Sequence, residues 1–218
     1  MSTNHSPAAP TRTAWWLAAA GGILLGVLAG WYLSHRATAA ASAGPAPWVV
    51  GNPMPRGGVV NLAGQHVALA RGKQGTVVIL MATWCLYCAY LDRYDVPVLA
   101  ATPGLAIDIV DTDVGGGIAA SGPLSPPFGG ADHFGLPETT AQERHTLATY
   151  ARRFGILHDA HFYVALPAAQ HAWAPSKFPT LVAVDPSGQV VDVHPGTGDI
   201  TWATLWLANQ LGIGPHRT

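Results

Sequence analysis

A hydrophobic run that ends in two closely spaced cysteines is the feature of this sequence that most limits its possible folds. Residues 76–83, TVVILMAT, are mostly β-branched or apolar, which is typical of a strand buried on both faces of a sheet. Cys85 and Cys88 follow, and from Leu86 the apolar residues take helical spacing. The pattern predicts a buried strand, a cysteine pair and a helix in direct succession.

The remaining elements predict an α/β domain around a mixed sheet. Residues 115–138 contain so much Gly and Pro that they predict a long loop, and loops of this length are usually functional or mobile. The other predicted elements are two short strands that turn at Ala63-Gly64, a helix from Leu86 that Pro97 kinks, a strand at 104–114, a helix at 139–156 opened by a Thr cap and followed by Glu143, a strand at 161–166, a hairpin at 180–196 and a closing helix at 199–212.

The N-terminal part of the chain has the composition of a membrane anchor. Residues 14–33 form a run of 20 residues without charge, which is long enough to span a bilayer as a helix, and tryptophans lie at both of its ends. The run predicts a cytoplasmic tail at 1–13 and a transmembrane anchor at 14–33. A linker at 34–47, rich in small residues, then leads to a folded domain at 48–218.

The N-terminal hydrophobic segment can export the domain either as an uncleaved anchor or as a cleaved signal peptide. With an uncleaved anchor, the protein is a single-pass protein of the inner membrane whose domain lies on the periplasmic or extracytoplasmic side. The alternative is a cleaved signal peptide, because residues 41–43, ASA, have the small-x-small form of a cleavage site, and this gives a periplasmic form. Both alternatives place the cysteines in an oxidising compartment.

Size, charge and ligand count limit what the cysteine pair can do. A chain of 218 residues can bury a core without a disulfide staple. A net charge of -1 argues against nucleic acid as a partner. A zinc site needs four ligands, and the scattered histidines do not complete one. At a helix N-terminus, Cys85 is placed where a thiolate is stabilised, and Cys88 lies one turn further on, near enough to close a disulfide.

Several motifs together resemble the thioredoxin-like superfamily over residues 58–212. ATWCLYC looks like its Trp-Cys-x-x-Cys active site, and KFPT, residues 177–180, looks like its cis-proline loop, which makes Pro179 the candidate cis residue. Gly196 after the hairpin also matches. The leading hairpin and the extra segment between Phe154 and Pro179 are similar to the membrane-anchored, extracytoplasmic TlpA-like branch. The resemblance implies a thioredoxin-like fold with an N-terminal β-hairpin and an insertion before the cis-proline.

The resemblance also implies a thiol-disulfide oxidoreductase. Cys85 would be the nucleophile, Cys88 would resolve the mixed disulfide, and Pro179 would present backbone to the substrate. No cofactor is implied beyond the Cys85-Cys88 disulfide. The implied partners are thiols and disulfides of exported proteins and an upstream membrane or periplasmic redox partner. The residues expected to bind substrate or tune the pair are Trp84, Leu86, Tyr87, Phe178 and Thr180.

Two departures from the family pattern bear on the mechanism. Ile79 stands six residues before the first cysteine, where many relatives have a buried acid that relays the proton of the second thiol. Water, or an acid elsewhere such as Glu138 or Asp132, would then serve Cys88. The dipeptide Leu86-Tyr87 resembles that of more oxidising pairs, but residue identity does not determine the potential. Reductase and oxidase therefore both stay open, while an isomerase is less supported because no dimerisation module is evident.

Two other functions compete with this interpretation. A copper-binding assembly factor would use the two cysteines and a distant histidine, His171 or His194, although such proteins usually space their cysteines one residue wider. An accessory component of an envelope secretion or conjugation apparatus would use the loop at 115–138 as a docking surface.

Overall fold

The computed structural model describes residues 47–120 and 131–196. They form seven strands, two helices of 15 residues and one of 7 residues in an α/β arrangement. The strands are β1 (Val59–Asn61), β2 (His66–Val67), β3 (Gly75–Met81), β4 (Leu105–Asp111), β5 (His161–Ala165), β6 (Thr180–Val184) and β7 (Val190–Pro195), and the helices are α1 (Leu86–Ala100), α2 (Thr140–Phe154) and α3 (Pro167–Trp173).

The strands make one mixed sheet in the order β2-β1-β5-β4-β3-β6-β7. β3 pairs in parallel with β4 and antiparallel with β6, so it lies inside the sheet with partners on both sides. β4 pairs in parallel with β5, and the two hairpins, β1-β2 and β6-β7, form the edges. The predicted mixed sheet, its central buried strand and both hairpins are therefore confirmed.

The continuous hydrophobic run of β3 follows from burial on both faces, since all seven of its residues are buried. Ile79 belongs to one core together with Leu91 of α1 and Leu147 of α2. Val78, on the opposite face, belongs to a second core with Trp173 of α3. Neighbouring side chains of a strand point to opposite faces of the sheet. Since both faces of β3 are covered by a core, none of its side chains points to solvent.

The ends of the helices show the local chemistry that the sequence predicts. Thr139 caps α2 and accepts a hydrogen bond from the backbone N–H of Gln142, whose side chain completes the capping box. Gly155 ends α2 in the left-handed conformation at φ 76°, which glycine adopts without strain. α1 contains Pro97 in its last turn. The cap at Thr139 is confirmed, and its reciprocal partner is Gln142.

The extra segment before Pro179 consists of β5 and α3, and this confirms the predicted insertion. In the described parts of the 115–138 region, Gly115 and Pro137 form an isolated antiparallel β-bridge. The proposed anchor at 14–33 and the closing helix at 199–212 lie outside the described residues. Within the described ranges, no helix is both long and apolar enough to cross a membrane.

Buried carboxyl groups make the stability of the fold depend on pH. Burial raises the pKa of Asp108 in β4 to about 8 and that of Asp92 in α1 to about 7. In the unfolded chain both titrate near 4, so between about pH 4 and pH 8 the folded state holds more protons. We expect the free energy of unfolding to fall across this range by a few kcal/mol, because one pKa unit corresponds to about 1.4 kcal/mol.

Urea denaturation at pH 5, 7 and 9 measures this fall in the free energy of unfolding. The cysteines are kept oxidised, so that ionisation of the thiols does not contribute to the pH dependence. In the variant Asp108→Asn, the free energy of unfolding should fall less steeply from pH 5 to pH 9. Asp185→Asn is the matched control, because hydrogen bonding lowers the pKa of this exposed carboxyl and its removal leaves the decline in place. A stability that is constant or rises from pH 5 to pH 9 would contradict the expectation.

Candidate active site

The cysteine pair lies where the chain leaves the central strand and enters α1. Cys85 is the N-cap of α1, with φ -79° and ψ 120°, and its N–H donates to the carbonyl of Ala82 at 3.0 Å. The Cys85 Sγ accepts a hydrogen bond from the backbone N–H of Cys88 at 3.3 Å. Both cysteines are free thiols, Cys85 is 4% exposed and Cys88 is fully buried. The first sulfur thus occupies the position in which a helix N-terminus stabilises negative charge.

The two thiols have opposite electrostatic environments. The Cys88 thiol and the Cys88 backbone N–H both donate to the Cys85 sulfur, and these hydrogen bonds lower the pKa of Cys85 despite its burial. Burial is the main cause that raises the pKa of Cys88 well above its ordinary value, and the charge of Cys85 adds to it. The first sulfur therefore loses its proton more readily than the second.

Pro179 lies beside this end of the central strand. The Phe178-Pro179 peptide bond is cis, as the resemblance implies. The following residue, Thr180, pairs with Leu80 of β3, and its hydroxyl donates to the carbonyl of Lys177 at 2.8 Å. The carbonyl of Pro179 accepts from the N–H of Gly196 at 2.7 Å. The cis-proline loop is thereby held between two strands at the carboxyl end of β3.

An aromatic group centred on Trp84 joins the cysteine motif to the cis-proline loop. The Trp84 ring makes edge contacts with Phe178, at 5.8 Å between centroids, and with Phe134, at 5.1 Å. Its indole N–H donates to Asp113 Oδ1 at 3.1 Å, which sets the orientation of the ring. Tyr87 is 49% exposed and Phe134 is 62% exposed. Exposed aromatic side chains therefore lie close to the cysteine motif, and Leu86, next to Cys85, has a half-buried side chain.

The structure adds a contact that sequence reasoning missed, between the long loop and the cysteine motif. Asp132 Oδ1 accepts from the backbone N–H of Leu86 at 2.8 Å. The N–H of His133 donates to the carbonyl of Trp84 at 3.0 Å, and the Phe134 ring makes an edge contact with the same tryptophan. Since these residues are more than 40 positions from Cys85 in the chain, no local pattern reveals that they meet.

A buried acid near Cys88 is a second feature that sequence reasoning missed. Asp92 lies one turn after Cys88 on α1, is fully buried, and accepts a hydrogen bond from the hydroxyl of Tyr150 at 2.6 Å. Burial raises its pKa to about 7, and its charge raises the pKa of Cys88. The signal in the sequence was an aspartate four residues after the second cysteine, one helical turn further along α1, with Arg93 and Asp95 close behind it.

The two acids suggested from the sequence are placed elsewhere. Asp132 contacts the residue after Cys85, and Glu138 accepts a hydrogen bond from the Thr146 hydroxyl at 2.9 Å. Ile79 is buried in β3 as a core residue. The described acid whose charge acts on Cys88 is therefore Asp92 in α1.

The described residues contain no group of three or more His, Cys, Asp or Glu side chains that could hold a metal ion. His171 lies on α3 and His194 lies on β7, where it pairs with Leu181. Burial lowers the pKa of His194. Neither histidine is brought into such a group with the cysteine pair.

The mixed sheet, the cysteine pair at the start of the helix after the central strand, and the cis-proline loop opposite it define a thioredoxin-like fold. Neither a protein-family model nor a curated protein sequence matches this chain. Solved structures do match. The thio-disulfide isomerase from Thermus thermophilus superposes with a TM-score of 0.50 at 17% identity, over 77% of this chain and 99% of the other.

Two further structures agree with this result. The C-terminal domain of a putative thiol-disulfide oxidoreductase from Bacteroides thetaiotaomicron has a TM-score of 0.50 at 9% identity, over 78% of this chain and all 100% of its own. An uncharacterized thioredoxin-like protein from Porphyromonas gingivalis has a TM-score of 0.50 at 16% identity, over 76% of this chain and 95% of the other. At such identities the likeness establishes the fold, and the chemistry has to be argued from this chain's own residues.

Proposed function

We propose that this protein is a thiol-disulfide oxidoreductase that acts on exported proteins through the Cys85-Cys88 pair. The observation that carries the proposal is the asymmetry of the two thiols. Cys85 caps α1 and has a lowered pKa, whereas Cys88 is buried behind it and has a raised pKa. A structural pair of cysteines needs no such difference, but a nucleophile followed by a resolving thiol does.

In the reducing direction, the Cys85 thiolate attacks one sulfur of a substrate disulfide. The Cys85–substrate disulfide bond forms, the substrate S–S bond breaks, and the substrate's other sulfur leaves as a thiolate that takes a proton from solvent. Cys88 then attacks Cys85, which closes the Cys85-Cys88 disulfide and releases the second substrate sulfur. Two electrons pass from the cysteine pair to the substrate. Oxidation of a substrate dithiol is the same sequence in reverse.

The Asp92 carboxylate supplies the base that this second step requires. Cys88 is a thiol of raised pKa, so its sulfur becomes a competent nucleophile only when the proton has a place to go. Asp92 lies on the same helix, fully buried, with a pKa of about 7 that suits proton transfer at neutral pH. The proton of Cys88 passes by way of Asp92 to the departing substrate sulfur.

The exposed aromatic surface around Cys85 would receive the polypeptide. Tyr87 and Phe134 present about half or more of their side-chain surface to solvent, and Phe178 lies behind Trp84 next to the cis-proline. Apolar groups of a partly unfolded chain would pack on these rings, while the backbone near Pro179 would pair with the substrate backbone. Thr180 holds the loop in place through its bond to Lys177.

The tethering is proposed from the sequence. Residues 14–33 would anchor the domain to the inner membrane with its active site on the periplasmic side, as in the TlpA-like branch, and an upstream membrane or periplasmic partner would return the pair to its starting redox state. Labelling of intact cells with a membrane-impermeant thiol reagent, followed by membrane fractionation, tests both statements. Labelling that requires cell lysis would reject the periplasmic location.

The reduction potential of the pair tests the function and gives the direction of electron flow. Equilibration of the full-length chain with mixtures of reduced and oxidised glutathione should yield a two-electron transition between free thiols and the Cys85-Cys88 disulfide. A potential near about -270 mV would make the protein a reductase, and one near about -120 mV would make it an oxidase. Failure to form the intramolecular disulfide at any glutathione ratio would reject the proposed function.

A further inference from the structure

The segment 131–136, which we call the strap, lies against the cysteine motif in space. Three consecutive strap residues contact the two neighbours of Cys85 in the chain, Trp84 and Leu86. Asp132 accepts from the N–H of Leu86, the N–H of His133 donates to the carbonyl of Trp84, and Phe134 packs on the Trp84 ring. A third hydrogen bond, from the N–H of Ala119 to the carbonyl of Thr83 at 2.9 Å, places residue 119, at the start of the same loop, against the motif.

Asp132 and Cys85 use the same helix N-terminus. The first turn of a helix offers backbone N–H groups that have no partner within the helix. In α1 the N–H of Leu86 is taken by the Asp132 carboxylate, at 2.8 Å, and the N–H of Cys88 is taken by the Cys85 sulfur, at 3.3 Å. Two negative charges thus compete for one dipole, and each disfavours the other.

We propose that Asp132 is a positioning residue that restrains the reactivity of Cys85. Its carboxylate occupies an N–H that would otherwise help to stabilise the thiolate, and its charge lies next to the sulfur. This inference rests on the proposed function, because it assigns regulation to the same cysteine pair. The charge of Asp132 is among the causes that raise the pKa of Cys85.

The restraint acts on one redox state. In the dithiol form the thiolate of Cys85 and the carboxylate of Asp132 repel, whereas the Cys85-Cys88 disulfide carries no charge. Asp132 therefore destabilises the reduced form relative to the oxidised form and makes the pair a stronger reductant. A substrate that displaced the strap would remove the repulsion at the moment when it reached the sulfur.

The other groups facing Cys85 do not duplicate this effect. On α1, Cys88 donates to the sulfur and Asp92 is hydrogen-bonded to Tyr150. From α2, Tyr150 faces the pair with a phenol whose raised pKa keeps it neutral. The cis-proline loop contributes the uncharged Phe178 to the Trp84 group. Among the charges that act on Cys85, the exposed Asp132 can be altered without disturbing the core.

The variant Asp132→Asn, made in the full-length chain, tests the proposal because asparagine keeps the acceptor oxygen and removes the charge. The rate of alkylation of Cys85 by iodoacetamide, measured from pH 4 to pH 10, gives its apparent pKa. We expect the acid dissociation constant of Cys85 to increase about threefold to tenfold, the scale of a charge at an exposed helix terminus. The equilibrium with glutathione should shift toward the dithiol by up to the same factor.

Glu138→Gln is the matched control, since Glu138 belongs to the same loop, carries the same charge and bonds to Thr146. It should leave the acid dissociation constant of Cys85 unchanged. A role confined to holding the loop predicts that Asp132→Asn behaves as the original protein and that only Asp132→Ala changes the alkylation rate; this result would overturn the proposal. Because alkylation needs no turnover, a shifted pKa in a protein without exchange activity would reject the proposed function and leave the role of Asp132 standing.

Discussion

Replacement of Cys85 by serine should abolish disulfide exchange. A hydroxyl is not ionised at neutral pH and cannot form a disulfide, so the nucleophile that caps α1 is lost. The expected loss in rate is on the order of 10⁴-fold or more, the scale seen when a catalytic nucleophile is removed. The insulin reduction assay, or oxidation of a reduced unfolded substrate, measures it, with the circular dichroism spectrum as the control for folding.

Cys88→Ser is the paired variant, and its expected result is different. Cys85 can still attack a substrate, but the buried sulfur that would release it is absent, so covalent mixed disulfides should accumulate. They should be visible as reducible high-mass species on non-reducing gels and should disappear in the double variant Cys85→Ser/Cys88→Ser. Equal exchange activity in Cys85→Ser and the original protein, or no trapped species in Cys88→Ser, would contradict the assigned order of the two sulfurs.

Asp92→Asn should slow the second step of the reaction while leaving the first intact. Asparagine keeps the size of the side chain but cannot take the proton of Cys88, so closure of the Cys85-Cys88 disulfide should become slower by about 10²-fold at pH 7, within the usual range for a general base. Stopped-flow measurement of the two phases with a chromogenic disulfide separates attack from closure. Attack by Cys85 should change by less than about twofold.

The pH dependence of the closure rate gives a sharper test than its magnitude. The base form of Asp92 dominates above its pKa of about 7, so the closure rate should rise through pH 7. In Asp92→Asn, the increase of the closure rate should move to a higher pH, where the buried Cys88 thiol itself loses its proton. Tyr150→Phe removes the hydrogen bond that lowers the pKa of Asp92, and the rise should shift upward by a smaller amount.

Tyr150 from α2 faces Asp92, as do Cys88 and Asp95 on its own helix, and the charge of Asp95 raises the pKa of Asp92 further. Because Asp92→Asn removes a buried charge, it should not lower the stability of the protein above pH 7. An unchanged closure rate and pH profile in this variant would show that Cys88 loses its proton to water.

The sequence predicted most elements of the fold because their patterns are local. The strand at 76–83, the cap at Thr139 and the hairpin at 180–196 each depend on periodicity or on a turn residue within a few positions. The cis geometry before Pro179 followed from a motif resemblance and is present in the structure. Trp84 and Phe178, both candidate site residues from the sequence, make an edge contact in the structure.

Asp92, the proposed proton acceptor of Cys88, was not predicted from the sequence. Ile79 stands in the sequence at the position of the usual acid, and the substitutes suggested from the sequence, Glu138 and Asp132, belong to the long loop. An aspartate in a helix is ordinarily solvent-exposed, and only the packing of α2 against α1 buries Asp92 and supplies Tyr150 as its donor. Burial, which raises the pKa of Asp92, is a property of the assembled core and not of its neighbours in the chain.

By itself, then, the sequence determined the strand, cysteine pair and helix that place a thiol at a helix N-terminus, since these depend on short-range backbone geometry. The tertiary structure decided which distant groups act on that thiol. Asp132 reaches Leu86 across 46 positions of sequence and Tyr150 reaches Asp92 across 58. Electrostatic interactions act through space over a few ångströms, so the ionisation of Cys85 and Cys88 depends on contacts that exist only after the sheet and helices have packed.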